Sequence, residues 1–123
     1  MRQNFFSIKA WLLRFRYAGE GLISSFRTEQ AVWIHLIATL IIIGLSIVER
    51  ISSMEAIAIT FVTGFVWTAE LFNTSIEKLA DKVTMEYNEQ VKLVKDISAA
   101  AVLITSLVAL ITGLIIFIPK FFK

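Results

Sequence analysis

Three long apolar stretches dominate the chain and predict three membrane-spanning helices. The first contains one histidine, the second one glutamate near its start, and the third no charged residue; they cover 31–48, 51–69 and 97–119. A helix needs about 20 mostly apolar residues to cross the hydrocarbon core of a bilayer. The third stretch meets this length alone, and the other two meet it with tilt and polar ends. We therefore predict spans at about residues 30–48, 53–76 and 97–118.

The composition agrees with an all-α integral membrane protein of one domain, residues 1–123. Hydrophobic residues make up 57% of the chain and charged residues 18%, which is more apolar than soluble domains usually are. The alternative, a buried helical hairpin in a soluble protein, fails because so short a chain cannot cover three such helices. A net charge of +2 gives no reason to expect nucleic acid, and the absence of cysteine excludes disulfides and thiolate metal sites.

The segment before the first span predicts an amphipathic surface helix at about residues 4–26. Its apolar residues share one arc of a helical wheel: Ile8, Trp11, Leu12, Phe15, Leu22 and Phe26. Four charged residues share the opposite arc: Arg2, Lys9, Arg16 and Glu20. This pattern is typical of a helix that lies in the membrane surface, and the alternative is a helix packed in the cytoplasm. The segment lacks the features of a cleavable signal, so we expect it to be retained.

Arginine and lysine residues predict the orientation of the spans. Five lie in the N-terminal segment, one in the first connection, four in the second and two in the C-terminal tail. Because positive residues concentrate on the cytoplasmic side, the N terminus and the second connection are predicted to be cytoplasmic. The first connection and the C terminus are then outside.

A polar stripe lies where the second span is predicted to reach the cytoplasm, in the sequence ELFNTSIEKLAD (70–81). On a helical wheel, Glu77 and Asp81 lie within about 20° of Glu70, Thr74 about 40° and Asn73 about 60° away. The opposite side is mostly apolar: Leu71, Phe72, Ile76 and Leu79. An ionisable group inside the apolar level, as Glu70 is predicted to be, is a functional candidate by default.

Rise per residue places further polar groups at the same depth. Glu29 precedes the first span, and Lys95 and Asp96 precede the third, so they share a thin layer with the stripe. Carboxylates aligned on one helix face repel each other unless a cation lies among them. Oxygen ligands without cysteine favour Mg²⁺ over zinc. The alternative is that these polar groups are solvated or serve as assembly contacts between spans.

The same residues resemble a known family. The run ELFNTSIEKLADKV, then EYNE, then KDISAAAVLI, is similar to the prokaryotic diacylglycerol kinases, which include undecaprenol kinases. RYAGEGLISSFRTE and IHL match the family upstream, so the resemblance covers essentially the whole chain. It implies a homotrimer in the bacterial inner membrane, with active sites between protomers. It also implies transfer of the γ-phosphoryl group of ATP, with Mg²⁺, to a lipid hydroxyl at the cytoplasmic face.

The resemblance implies roles for individual residues. Glu70 matches the catalytic base and Asn73 an active-site polar contact, while Glu70 and Ser98 are the expected contacts to the lipid. Glu29 and Glu77 match the metal-binding carboxylates. The expected ATP-binding residues are these two carboxylates and four further side chains: Tyr17, Asp81, Lys95 and Asp96. The chain has no G-x-x-x-x-G-K-[ST] or G-x-G-x-x-G loop, so Lys95 and the metal would have to hold the phosphates.

Three questions stay open at the level of the sequence. The acceptor is diacylglycerol or undecaprenol, and His35, typical of the Gram-positive-like branch of the family, slightly favours undecaprenol. His35 is also explained as a hydrogen-bond partner between spans, the commoner role of a lone membrane histidine. The non-catalytic alternatives are a cation-binding channel or transporter, and an assembly subunit. A permeation path should carry polar groups across the bilayer, whereas here the outer halves of the spans are apolar.

Overall fold

The computed structural model describes residues 7–123, and they form four α-helices in chain order. The bounds are Ile8–Thr28 for α1, Gln30–Val48 for α2, Ser53–Val83 for α3 and Glu89–Phe121 for α4. This part of the chain contains no β-strand, so the all-α prediction is confirmed for it. Residues 4–6 of the predicted surface helix lie outside the described residues.

Three of these helices, α2, α3 and α4, are long and apolar enough to cross a membrane. The protein is therefore a multi-pass helical membrane protein, as the three apolar stretches predict. At their polar ends α3 and α4 continue as regular helix beyond the predicted spans, α3 to Val83 and α4 from Glu89. The polar stripe of α3 is thus a face of the same continuous helix that enters the apolar layer.

Side-chain caps fix where α3 and α4 begin. The hydroxyl of Ser52 accepts from the amide of Glu55 at 3.2 Å, and the Glu55 carboxylate accepts from the amide of Ser52 at 2.7 Å. This reciprocal pair satisfies amide groups that the first helical turn leaves without partners. The Asn88 side chain accepts from the first amides of α4 in the same manner. Between α1 and α2, one extended residue, Glu29, changes the chain direction.

The helices α3 and α4 form a long antiparallel pair. Its apolar end holds the buried residues Ile59, Ile116 and Phe117, against which α2 packs through Ile42 and Leu45. The ammonium of Lys120 near the end of α4 lies 3.1 Å from the carboxylate of Glu55 near the start of α3. Most other large apolar side chains of the spans face outward, as is required of surfaces that meet lipid or other protein chains.

Hydroxyl groups within the spans bind mostly to the backbone of their own helix. Each donates to the carbonyl four residues earlier, at residues Thr39, Ser46, Thr60, Thr68, Ser75, Thr105 and Thr112. A hydroxyl without a partner is costly in an apolar environment, and this bond satisfies it without any neighbouring helix. These hydroxyls are therefore compatible with lipid-facing positions. The polar groups that do join different helices are few and concentrate at one end.

Candidate functional site

The polar stripe of α3 contacts the other helices through a series of side-chain pairs. From the apolar level outward, Glu70, Asn73, Lys78 and Asp81 bind respectively to His35, Ser98, Glu29 and Lys95. The series extends about 16 Å along α3. The start of α2 and the start of the third span both meet α3 at its polar stripe, which is the level at which rise per residue places them.

Glu70 lies at the inner end of this series. It is 4% exposed, and its Oε2 lies 3.2 Å from Nε2 of His35 on α2. Thr74, on the next turn of the same face, is also buried. Burial of a carboxylate is costly unless hydrogen bonds compensate it, and His35 supplies such a bond.

Asn73 connects α3 to α4. Its Oδ1 accepts from the Ser98 hydroxyl at 2.8 Å, and its Nδ2 donates to Oε1 of Glu77 at 3.2 Å. The two bonds fix the orientation of the amide, because its oxygen faces a donor and its nitrogen an acceptor. The structure thus brings together three residues with predicted roles in catalysis, lipid binding and metal binding.

Glu29 is held at the junction of α1 and α2 by Lys78 from α3. The Lys78 ammonium lies 2.6 Å from Oε1 of Glu29 and 3.0 Å from the Thr28 hydroxyl. The hydrogen bond from Lys78 lowers the pKa of Glu29, an effect that partial desolvation of the carboxyl opposes. Glu29 is therefore an ionised carboxylate at neutral pH, and its cationic partner already occupies one oxygen.

The remaining predicted nucleotide residues lie at the outer end of the stripe. Lys95 donates to Asp81 at 2.5 Å, and Asp96 accepts from Lys92 at 2.5 Å. Lys95 and Asp96 are adjacent in sequence, but they bind different partners. Tyr17 stands apart on α1 with 60% exposure, and no hydrogen bond within residues 7–123 joins it to the stripe.

The carboxylates fit a metal ion that arrives with phosphate ligands. Within the described range, no three histidine, aspartate or glutamate side chains form a cluster that could hold a metal alone. Mg²⁺ is commonly held by one or two carboxylates together with substrate phosphates and water. Glu29 and Glu77 lie at the same end of the bundle, and their carboxylates are of the type that such an ion takes as ligands.

Aromatic side chains frame the contact between His35 and Glu70. The indole Nε1 of Trp67 donates to Thr39 Oγ1 at 2.9 Å, and its ring centroid lies 6.4 Å from that of His35. Phe26 packs against Trp67 at 6.0 Å, and Trp33 donates to the Phe26 carbonyl at 2.8 Å. Both tryptophans are therefore part of the wall that joins α1, α2 and α3.

A cavity of about 220 Å³ adjoins His35 on the apolar side. It lies between α2, α3 and α4 and extends to Ile59, with Thr63, Trp67 and Ser106 among its lining residues. One side of the His35 region therefore meets mostly apolar space, and the other meets the polar stripe.

Two residues that the structure places in the site, His35 and Lys78, were not among the predicted site residues. His35 was expected as a hydrogen-bond partner between spans, which agrees with its contact to α3, but Glu70 was not named as that partner. Lys78 was considered only for membrane orientation. No local pattern could have identified its partner, because Glu29 is 49 residues away.

Fold and site together define a small multi-pass membrane protein with reactive polar groups at one end of its spans. Residues 16–117 match the family model described as prokaryotic diacylglycerol kinase. The chain is 32% identical over 106 residues to the undecaprenol kinase of Bacillus subtilis, a match that covers 86% of each chain.

Two further relatives agree. The chain is 29% identical over 121 residues to a diacylglycerol kinase of Synechocystis sp., covering 97% of this chain and 69% of the relative. It is 28% identical over 100 residues to the diacylglycerol kinase of Escherichia coli strain K12, covering 81% and 82%. The chain belongs to the prokaryotic diacylglycerol kinase family and is a membrane lipid kinase. This decides against the non-catalytic alternatives.

Proposed function

We propose that this protein transfers the γ-phosphoryl group of ATP, bound with Mg²⁺, to the hydroxyl of a membrane lipid alcohol. The reaction takes place at the cytoplasmic face of the bacterial inner membrane, in a single domain of residues 1–123. The observation that carries the proposal is the buried Glu70 carboxylate, located where the apolar spans give way to the polar stripe. A lipid headgroup and a water-soluble nucleotide can meet only at such a boundary.

Glu70 is the proposed general base. Phosphoryl transfer requires positioning, charge neutralisation and a group that accepts the hydroxyl proton. A buried carboxylate at the depth of a lipid hydroxyl meets the last requirement. Asn73, which binds both Ser98 and Glu77, lies one helical turn nearer to the water. Asn73 and Ser98 are proposed to hold the acceptor headgroup beside Glu70.

Glu29 and Glu77 are the proposed metal-binding carboxylates. A bound Mg²⁺ ion neutralises charge on the phosphate oxygens and orients the phosphoryl group. For Glu29 to bind it, Lys78 must release or share the oxygen that it now contacts. Both side chains are partly exposed, at 49% for Lys78 and 26% for Glu29, so the exchange is inexpensive.

The exposed outer end of the stripe is the proposed nucleotide site. Lys95 is positioned by Asp81 and is the proposed cation for the phosphates, while Asp96 and Tyr17 complete the ATP contacts. Tyr17 and Asp96 are exposed in the single chain, and the concavity that Asp96 lines is open to solvent. This supports a homotrimer in which each active site lies between protomers.

The membrane arrangement follows the charge distribution. We propose a cytoplasmic N terminus and an external C terminus, with α1 lying in the cytoplasmic membrane surface. The exposure of Trp11, Leu12 and Phe15 on α1 supports contact with lipid, since each is more than half exposed in the chain alone. The small exposed residues Ala99 and Ala100 on α4 support close helix packing in the trimer.

The test is a phosphoryl-transfer assay with purified protein in detergent, radiolabelled ATP and Mg²⁺. Diacylglycerol and undecaprenol are supplied in parallel, because relatives with both names match the chain at similar identity. We expect label in the lipid fraction with one of them, and no label when EDTA removes the metal. Failure to label either lipid with folded, membrane-extracted protein would contradict the proposal.

A further inference from the structure

His35 on α2 and Glu70 on α3 form a buried polar contact between two spans. Their side chains are 17% and 6% exposed, and the distance from Nε2 to Oε2 is 3.2 Å. Ionisable groups are rare inside spans, and they are usually retained for a function. Here one of the two is the residue proposed as the base.

The chemistry of the two groups indicates which atom donates the hydrogen bond and which accepts it. In the ionised form that can act as a base, the Glu70 carboxylate only accepts hydrogen bonds, so in that form Nε2 of His35 carries the hydrogen. The bond engages Oε2 alone, and within residues 7–123 no hydrogen bond from a side chain reaches Oε1. One oxygen of Glu70 is thus anchored, and the other remains available to an acceptor hydroxyl.

A second contact between the same two helices lies beside the imidazole. Trp67, one turn before Glu70, donates to Thr39, one turn after His35, and Thr39 in turn donates to the His35 carbonyl at 2.7 Å. The Trp67 ring also lies beside the imidazole, with 6.4 Å between centroids. The helix positions of His35 and Glu70 are therefore set by a bond that does not involve either side chain.

This second contact also weakens a purely structural explanation of His35. A single hydrogen bond between membrane helices contributes little to their association, and the Trp67–Thr39 bond already joins α2 to α3 at this level. His35 also borders the 220 Å³ cavity, so one side of its ring faces open space. What His35 adds is a donor directed at Glu70.

We infer that His35 is a positioning residue, which anchors Oε2 of Glu70 so that Oε1 faces the acceptor hydroxyl. The inference rests on the proposed role of Glu70 as the base. Displacing a catalytic group by about 1 Å can lower a rate by about 100-fold. Loss of the anchor should therefore lower kcat and leave ATP binding unchanged.

Three substitutions at this position test the inference. In His35→Gln the amide nitrogen replaces Nε2, in His35→Asn it replaces Nδ1, and His35→Leu removes the donor. We expect the leucine and asparagine variants to lose about 10- to 100-fold in kcat with KM for MgATP within twofold. The glutamine variant should stay within about threefold of the unchanged protein. All rates are normalised to folded protein, measured by thermal unfolding.

Two patterns would overturn the inference. One is a leucine variant with kcat within threefold of the unchanged protein; the other is a glutamine variant as slow as the leucine variant. Glu70→Gln, measured alongside, separates the two levels of the argument. If Glu70→Gln is inactive while His35→Leu is fully active, only the role of His35 is contradicted. If Glu70→Gln is active, the roles of Glu70 as base and of His35 are both contradicted.

A spectroscopic measurement gives a readout apart from activity. His35 is the one histidine of the chain, so ¹⁵N-histidine labelling produces a single imidazole spectrum. We expect the Nε2-protonated tautomer, with an Nε2 resonance that shifts in Glu70→Gln and stays unchanged in the matched control Glu77→Gln. An Nδ1-protonated tautomer, or a resonance that Glu70→Gln leaves unmoved, would overturn the inference.

Discussion

The two ends of the α3–α4 pair are held together by different forces. At the apolar end, Ile59, Ile116 and Phe117 are buried together, and one ion pair, Lys120 with Glu55, closes the bundle. At the polar end, side-chain hydrogen bonds join α3 to every other helix. Apolar contacts stabilise without directional requirements, whereas each buried polar group must find a partner. The polar end is thus the costlier arrangement, which is consistent with selection for a function.

Within the polar end, burial decreases from Glu70 toward the water. Glu70 is 4% exposed, whereas the side chains of Lys78 and Asp81 are 49% and 47% exposed. Exposed ion pairs contribute about 0–1 kcal/mol, so phosphate and metal can replace them at little cost. The difference in exposure therefore separates buried Glu70, the proposed base, from the partly exposed groups proposed to bind metal and nucleotide, and both from the apolar end.

The largest effect is expected for Glu70→Gln. Glutamine keeps the size of the side chain and an oxygen acceptor, but it cannot take up the hydroxyl proton. We expect kcat to fall about 1,000-fold, while the oligomeric state and nucleotide binding are retained. Phosphoryl transfer to the lipid, nucleotide binding and size-exclusion chromatography provide the three measurements. Near-normal turnover would contradict the role of Glu70 as base.

The next largest effect is expected at Glu29, whose ion pair with Lys78 can be exchanged for a metal ion. Glu29→Gln removes a proposed metal ligand, so we expect the Mg²⁺ concentration for half-maximal activity to rise about 10- to 100-fold. Mn²⁺ binding followed by electron paramagnetic resonance in the presence of a non-hydrolysable nucleotide reports the same change without turnover. An unchanged metal requirement would remove Glu29 from the metal site.

Lys78→Met is the matched counterpart, because it removes the cation that now occupies Glu29. The pKa of Glu29 should rise, and the carboxylate should still be ionised at neutral pH, since its ordinary pKa is well below 7. We expect the Mg²⁺ requirement to fall about two- to fivefold, because the metal no longer competes with an ammonium group. A raised requirement would show that Lys78 supports the nucleotide rather than competes with the metal.

The sequence allowed prediction of the spans and of the polar stripe, but not of the pairs within the site. Hydropathy and a 3.6-residue period depend on local order, so α2, α3, α4 and the alignment of Glu70 with Glu77 followed from them. Depth along the spans also placed Glu29 and Lys95 near the stripe. Which side chains meet depends on how each helix is rotated about its axis. For that reason the partners of Glu70, Glu29 and Asp81 required the structure.

A third prediction addresses the apolar end through Phe117→Ala. Phe117 is 4% exposed and packs with Ile59 and Ile116, so the change leaves a cavity there. We expect a loss of about 2 kcal/mol in unfolding free energy, smaller than in a soluble core because lipid chains can enter the space. The kcat of the folded protein should be unchanged.

The control for this change is Phe122→Ala, which removes the same side chain from a position with 85% exposure. It should leave both stability and turnover unaffected. A fall in kcat for Phe117→Ala at temperatures where the protein is fully folded would show that the two ends are coupled.

The smallest effect is expected for Lys120→Met, which opens the ion pair at the apolar end. Methionine keeps most of the length and the apolar stem of lysine but removes the charge that lies 3.1 Å from Glu55. Glu55 keeps its bond to the amide of Ser52 at 2.7 Å, so the cap of α3 should persist. We therefore expect a fall of a few degrees at most in the unfolding temperature, with unchanged kcat and Mg²⁺ requirement. A changed Mg²⁺ requirement would mean that the helix pair transmits strain from its apolar end to the polar stripe. The two ends of the α3–α4 pair would then not be independent.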